Sequence, residues 1–251
     1  MRMKKNNLRK SDGIKRGKLL HEGKAKILYT TNDKERLIMY FKDDATAFDG
    51  AKRGTIISKG IINNRISSHI FELLEKRGVR THFIKRLSER EMLVRKTAII
   101  PVEVVLRNVV AGSMAKRLGL KEGTPLKGTI VEFYYKDDSL GDPMINEDHA
   151  VIFNWATRKQ LDEIRKISLK INKILMKFFK SHNIRLVDYK LEFGVAKGKI
   201  FLADEITPDG CRLWDYKTNE KLDKDRFRRD MGGVAEAYAE VFRRVLGEKF
   251  K

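Results

Sequence analysis

Residues 185 to 215, RLVDYKLEFGVAKGKIFLADEITPDGCRLWD, hold the densest set of groups able to do chemistry. Asp188, Lys190 and Glu192 stand two apart in an apolar background, Asp204 follows, and Asp209 and Arg212 close the stretch. A spacing of two is the strand period. On a strand from Arg185 to Gly194 those three residues share one face, while Val187, Tyr189, Leu191 and Phe193 share the other. A second strand is expected over Lys199 to Thr207, joined by a three-residue loop of Ala196, Lys197 and Gly198, with Gly198 left-handed and Val195 opposite Lys199. In that register Phe201 and Ala203 join the core face, and Asp204 lies opposite Lys190 with Glu192 on the diagonal. A two-residue turn would change the parity and put Glu192 and Asp204 on opposite faces. Two carboxylates beside a lysine suit a magnesium ion and a triphosphate, because magnesium takes hard oxygen ligands, commonly one or two carboxylates plus phosphate oxygens. On an arbitrary hairpin the commoner outcome is a solvated face with surface ion pairs.

The elements that must position these groups can be read along the chain. LLHEGKAKILYTT reads as strand, tight turn, strand, with a glycine that lets backbone approach a phosphate and with Lys24 and Lys26 on one face. RLIMYFK, Arg36 to Lys42, is a further strand leading into the polar loop DDATAFDGAKRG. Ser58 to Arg77 is a helix on the spacing of Ile62, Ile66, Ile70, Leu73 and Leu74, ended by Gly78. Weak alternation over Thr81 to Lys96 gives strands that complete a first lobe. The β-branched run VEVVLRNVV, Val102 to Val110, is a buried strand. Arg107 near its end needs an anionic partner, either a phosphate received by the short helix that Ala111-Gly112-Ser113 opens or an internal carboxylate, Glu103 or another acid. A β-segment over Thr124 to Lys136 precedes the acidic loop DDSLGDPMINEDH, whose Glu147, Asp148 and His149 serve to shape a pocket or, less readily, to bind a metal. Thr157 and Gln160 form a capping box for a long amphipathic helix with Leu161, Ile164, Ile171, Ile174, Leu175 and Phe178 inward. Val234 to Leu246 is a final helix. His69 and His82 have no ligand-like partners and read as structural or exposed.

LVDYKLEFG followed by DEITPDGCRLWD, together with RNVVAGS and the EGKAK turn, resembles the SAICAR synthetase (phosphoribosylaminoimidazole-succinocarboxamide synthase) family, and the resemblance runs from about Gly17 onward. Cys211 stands where many members have serine, so a catalytic thiol is not expected. The resemblance implies an α+β SAICAR synthetase fold of two lobes related to ATP-grasp and protein-kinase architectures. The expected division is a flexible basic tail over 1–16, a β-rich ATP-binding lobe over 17–98 and an α+β lobe with the substrate and metal site over 99–251. It implies an ATP-dependent ligase joining L-aspartate to the carboxylate of carboxyaminoimidazole ribonucleotide (CAIR), with Mg²⁺ and with ATP as co-substrate. The implied roles are Lys24, Lys26 and Lys190 on the ATP phosphates, Ile99 in the inter-lobe hinge against adenine, and Glu192 and Asp204 as metal ligands. Arg107, Ser113 and Arg212 would hold the ribonucleotide. Asp209 would orient Arg212 or bind a ribose hydroxyl, and Thr46, Asp49, Lys224, Asp225 and Arg228 would border or close over the substrates. Lys190, Asp209 and Arg212 form the expected catalytic group.

Composition bounds the alternatives. The 251 residues suffice for one large domain or two lobes, 41% hydrophobic content supports a packed core, and no apolar run approaches a membrane span. The basic start has no apolar segment behind it, so a cytoplasmic protein is expected. A single cysteine excludes an intramolecular disulfide and a cysteine-rich zinc site. The net charge of +20 admits nucleic acid as a partner, yet residues 1–18 alone carry eight cations and one carboxylate, and a positive cleft also serves anionic substrates. Without an aromatic-rich binding strand, nucleic acid ranks below small anions. A small-molecule kinase could use the same lysine and carboxylates, and a homodimer is compatible with the chain.

Overall fold

The computed structural model describes residues 13–47 and 51–250. Its first layer is an antiparallel sheet in the order β1, β2, β3, β7, β6. These strands are β1 (Arg16–Glu22), β2 (Lys26–Thr31), β3 (Arg36–Phe41), β6 (Phe83–Arg86) and β7 (Glu91–Arg95). Between β3 and β6 the chain forms a hairpin of β4 (Asp44–Ala47) and β5 (Lys52–Thr55), then helix α1 (Lys59–Lys76). The second sheet runs β10, β9, β8, β11, β12, with β13 also paired to β11. Here β8 is Ala98–Val109, β9 Pro125–Tyr135, β10 Met144–Ile145, β11 Ile184–Ala196, β12 Lys199–Ala203 and β13 Cys211–Asp215. Helices α2 (Gly112–Leu118), α3 (Glu147–Ile152), α4 (Arg158–Ser181), α5 (Asp225–Arg228) and α6 (Val234–Leu246) complete an α+β chain.

Helix α1 starts without a capping side chain of its own. Ser58 takes a left-handed φ of 64°, and the distant Asp43 carboxylate accepts from the Ser58 and Gly60 amides at 3.3 and 2.8 Å. Arg90 grips the same carboxylate through both terminal nitrogens at 2.7 and 2.9 Å, locking β7 to the helix start. The apolar stripe Ile62, Ile66, Ile70, Phe71, Leu74 is fully buried, and α1 packs on one side against β3 and β6 and on the other against α6. Helix α4 has the expected capping box at Thr157 and Gln160 and buries Leu161, Ile164, Ile171, Leu175 and Phe179 against β11 and β8. Phe179 rather than Phe178 points inward, because it falls four residues after Leu175 on the same stripe.

The hairpin differs from the expectation in a way that matters for the site. Ala196 pairs with Lys199 and Val195 with Ile200, so the turn has two residues. Lys197 and Gly198 both adopt positive φ, 49° and 71°, the geometry whose twist matches two antiparallel strands. Ile200 and Leu202 therefore enter the core, whereas Phe201 turns outward beneath the Arg95 guanidinium. Simple alternation would now send Asp204 away from Glu192. Strand β12 ends at Ala203, however, and Asp204 sits at φ 60°. That left-handed step breaks the pleat and returns its carboxylate to the Glu192 side, where it meets Lys190.

The expected tail over 1–16 ends too late. Gly13 and Lys15 are hydrogen-bonded to Asn32, and Arg16 opens β1, pairs with Glu91 at 3.0 Å and lies over the Tyr29 ring. The first twelve residues lie outside the described residues.

Candidate functional site

Strand β11 is central to the second sheet, with β8 on one side and β12 and β13 on the other. Its alternation puts Asp188, Lys190 and Glu192 on one face, each about 7 Å from the next. Lys190 Nζ donates to Glu192 at 2.8 Å and to Glu103 of β8 at 3.0 Å, and lies 3.6 Å from Asp204. Lys136 reaches Glu192 at 3.1 Å, and Lys26, the first residue of β2, crosses from the other sheet to Asp204 and Glu205. Lys24 remains in the β1–β2 turn, where Asp138 takes its ammonium at 2.9 Å.

The charges in this cluster are mutually dependent. Burial opposes charge on Lys190, but Glu192 and Glu103 outweigh it and hold the ammonium above its ordinary value. Burial likewise opposes Glu192, yet Lys190, Lys136 and Lys26 bring it down to about 2. Asp204 goes the other way, pushed up to about 7 by burial, and burial drops Lys26 well below its usual range. The site thus presents one firmly ionised carboxylate and one poised to ionise when more positive charge arrives. Among the described residues no group of three or more His, Cys, Asp or Glu could hold a metal on protein ligands alone. Two hard carboxylates whose shell is completed by phosphate oxygens remain a donor set that fits magnesium.

A second cluster begins two residues earlier on the same face. Asp188, 3% exposed, lies between two guanidinium groups: Arg107 Nη1 donates to it at 2.8 Å and Arg212 Nη1 at 3.0 Å. Arg107 Nε donates to Glu132 at 2.6 Å, and its Nη2 donates to Ser113 Oγ at 3.1 Å and Tyr134 Oη at 3.0 Å. Arg212 Nε donates to Asp225 at 2.8 Å, and Arg228 holds the other Asp225 oxygen at 2.6 Å. Among the described residues no acceptor meets Arg212 Nη2. Gly112, at φ 54°, makes this arrangement possible: a Cβ there would lie 2.4 Å from Arg212 Nη2. The arginine lies directly against the start of α2, beside Ser113.

Of the two sequence alternatives for Arg107, the internal carboxylate is the one observed, in Asp188 and Glu132, while Nη2 also reaches Ser113. Asp209, by contrast, does not orient Arg212; Asp188 and Asp225 do. Asp209 accepts from the fully buried Lys59 at 2.6 Å, from Asn63 at 3.1 Å and from Tyr238 at 2.5 Å. Burial would raise its pKa, but Lys59 and Lys224 hold it well below the ordinary carboxylate range. The half-buried Lys224, lowered by burial, feels Asp209 in return. Thr46 lines a cleft of about 530 Å³ with Gly23, Lys24 and Arg53, so the β4–β5 hairpin faces the glycine-lysine turn. Asp49 lies outside the described residues. Ile99 is 45% exposed on β8, next to Gly194, where Pro101 supplies no amide and the β8–β11 register slips.

The acidic triplet lies elsewhere. Glu147 and Asp148 bind Arg158 at 2.8 and 2.5 Å and line a different cleft of about 490 Å³, and His149 closes a capping box with Asn146. Sequence reasoning did not single out Glu132, Lys136 or Lys59, and it offered Glu103 only as an internal partner for Arg107, whereas Glu103 pairs with Lys190 and Arg107 with Asp188 and Glu132. Glu103 carried a readable signal, standing four residues before Arg107 and thus on its face of the same strand.

The SAICAR synthetase family model matches residues 19–245. The phosphoribosylaminoimidazole-succinocarboxamide synthase of Clostridium kluyveri is 60% identical over 232 residues, covering 92% of this chain and 99% of the relative. The crystal structure of the synthase of that name from Ehrlichia chaffeensis superposes with a TM-score of 0.90 at 48% identity, covering 93% of this chain and all of that one. A SAICAR synthetase in complex with ADP gives a TM-score of 0.89 at 50% identity, covering 92% and 99%. The matches extend over both sheets and every cluster described above, and the chain belongs to the SAICAR synthetase family, carbon–nitrogen ligases of purine biosynthesis.

Proposed function

We propose that the chain joins L-aspartate to the carboxylate of CAIR at the expense of ATP, by way of an acyl phosphate. The observation that carries this reading is the single face of β11, where the Asp188–Arg107–Arg212 group and the Lys190–Glu192–Asp204 group are two residues apart. A ribonucleotide phosphate held by Arg107, Ser113 and the open Nη2 edge of Arg212 would place its base toward Lys190. ATP phosphates would meet Lys24, Lys26 and Lys190, in keeping with the ADP complex of the relative. Ile99 would lie against adenine between an N-terminal lobe over 17–98 and a C-terminal lobe over 99–251. Thr46, Asp49, Lys224, Asp225 and Arg228 would border the substrates.

The chemistry requires such a convergence. A carboxylate does not lose oxide to an amine, so one CAIR carboxylate oxygen attacks the γ-phosphorus, the bond to the β–γ bridging oxygen breaks and ADP leaves. The aspartate amine then attacks the acyl carbon, phosphate departs with the bonding pair, and the amine proton is lost. Lys26 and Lys190 offset negative charge on the transferred group, and Arg107 and Arg212 hold the acceptor in line. Glu192 and Asp204 would hold Mg²⁺, which when bound neutralises the phosphate oxygens. The reaction consists of positioning anions, so no covalent nucleophile is required, and the Cys211 thiol, buried and held above its ordinary pKa by that burial, is unsuited to be one. The test is ADP release with CAIR or aspartate omitted in turn. Amide formation needs both, whereas steady ADP release with a stable phosphorylated CAIR and no aspartate would identify a kinase.

A further inference from the structure

We propose that the outer face of α4 is a binding surface for single-stranded RNA, independent of the ligase site. Lys159, Lys166, Lys170, Lys173, Lys177 and Lys180 are all exposed. At 100° per residue they fall within an arc of about 80°, and at 1.5 Å per residue they form a stripe about 30 Å long. Asp162 and Glu163 are the last carboxylates of the helix; from Ile164 to Ser181 it carries Arg165 and five lysines and no acid. Among the described residues Lys159, Lys166, Lys173 and Lys177 have no ion-pair partner, although most other cations of the chain do. Unneutralised, evenly spaced ammonium groups on a rigid rod repel one another unless a polyanion lies along them.

Tyr216 favours a base-bearing strand such as RNA over polyanions without bases. Phe178 and Phe179, next to Lys177 and Lys180 in sequence, pack against the core, but the fold brings Tyr216, just after β13, to the C-terminal end of α4. Tyr216 is 37% exposed, with Lys180 5.7 Å and Arg185 5.1 Å from its ring centroid. A basic track ending at an aromatic ring flanked by cations is what an unstacked base and its backbone require. A membrane surface fits poorly, because the apolar side of α4 lies in the core and offers nothing to insert. The stripe is also on the opposite side of α4 from β11, so occupancy need not affect ligation.

The test is fluorescence anisotropy of the full chain with a labelled oligouridylate of about 20 nucleotides across a salt series. In the variant Lys166→Ala/Lys173→Ala/Lys177→Ala, affinity at low salt should fall at least tenfold, and the slope of log K against log salt should drop by about 2, near 0.7 per lost contact. Tyr216→Leu should weaken RNA several-fold while leaving inorganic polyphosphate unchanged. Ligase turnover should be unaltered in both variants. RNA affinity unchanged by the lysine substitutions would overturn the proposal. So would a Tyr216→Leu protein that binds RNA as well as the parent, or binding of anionic vesicles in preference to RNA.

Discussion

Asp188 is the residue on which the acceptor side of the site depends, and Asp188→Asn tests that dependence without changing shape. The carboxylate neutralises two guanidinium groups, at 2.8 Å for Arg107 and 3.0 Å for Arg212. A charge-assisted hydrogen bond contributes about 1.5–3 kcal/mol, so losing the charge between both arginines bounds the effect at about 3–6 kcal/mol. Arg107 keeps Glu132 and Arg212 keeps Asp225, and the asparagine oxygen can still accept, which places the expected loss of stability near the lower end, about 3 kcal/mol. For a chain of this length that is a fall in Tm of about 6–12 °C. Because Arg212 loses one of its two anchors beside Ser113, KM for the ribonucleotide should rise at least tenfold while KM for ATP stays within about threefold. Thermal denaturation and two-substrate kinetics measure both quantities. An unchanged Tm, or equal rises in the two KM values, would refute the assignment of Asp188 as the organiser of the arginine pair.

Three further outcomes follow from the same contacts. Asp209→Asn leaves the fully buried Lys59 without a carboxylate and should cost about 3–5 kcal/mol in urea denaturation, part of it recovered when Lys59→Met is added. Glu192 ionises at about 2 when folded against an ordinary 4.5, so the unfolded chain takes up its proton first. The associated stability is full above about pH 4.5 and is lost as pH falls toward 2; Glu192→Gln should flatten that acid limb, and an unchanged limb would contradict it. Asp204→Asn should cut turnover by orders of magnitude, whereas near-normal activity at low magnesium would return Asp204 to the status of an ordinary buried acid.

The long helices were legible because their apolar residues recur at helical spacing: α1 and α6 fall within a residue of the predicted bounds, and α4 begins at the predicted capping box. The hairpin register was not, since two- and three-residue turns ending in the same Gly198 differ only in local backbone angles. Glu192 and Asp204 share a face for a reason no alternation rule supplies, the left-handed step at Asp204. Long-range pairing was the other hidden layer. Lys59 and Asp209 are 150 residues apart, and their ion pair withdraws Asp209 from the role its neighbour Arg212 suggested. Asp225 could take that role only after the chain beyond β13 had folded back over it.

The central claim is that ATP activates the CAIR carboxylate before aspartate attacks, and isotope transfer tests it most directly. CAIR labelled with ¹⁸O in its carboxylate is turned over with ATP and aspartate, and the inorganic phosphate is analysed by mass. An acyl phosphate hands one carboxylate oxygen to phosphorus, so the phosphate released should carry one ¹⁸O for each amide formed from fully labelled CAIR. Phosphate free of ¹⁸O, with the amide formed at the normal rate, would contradict the account.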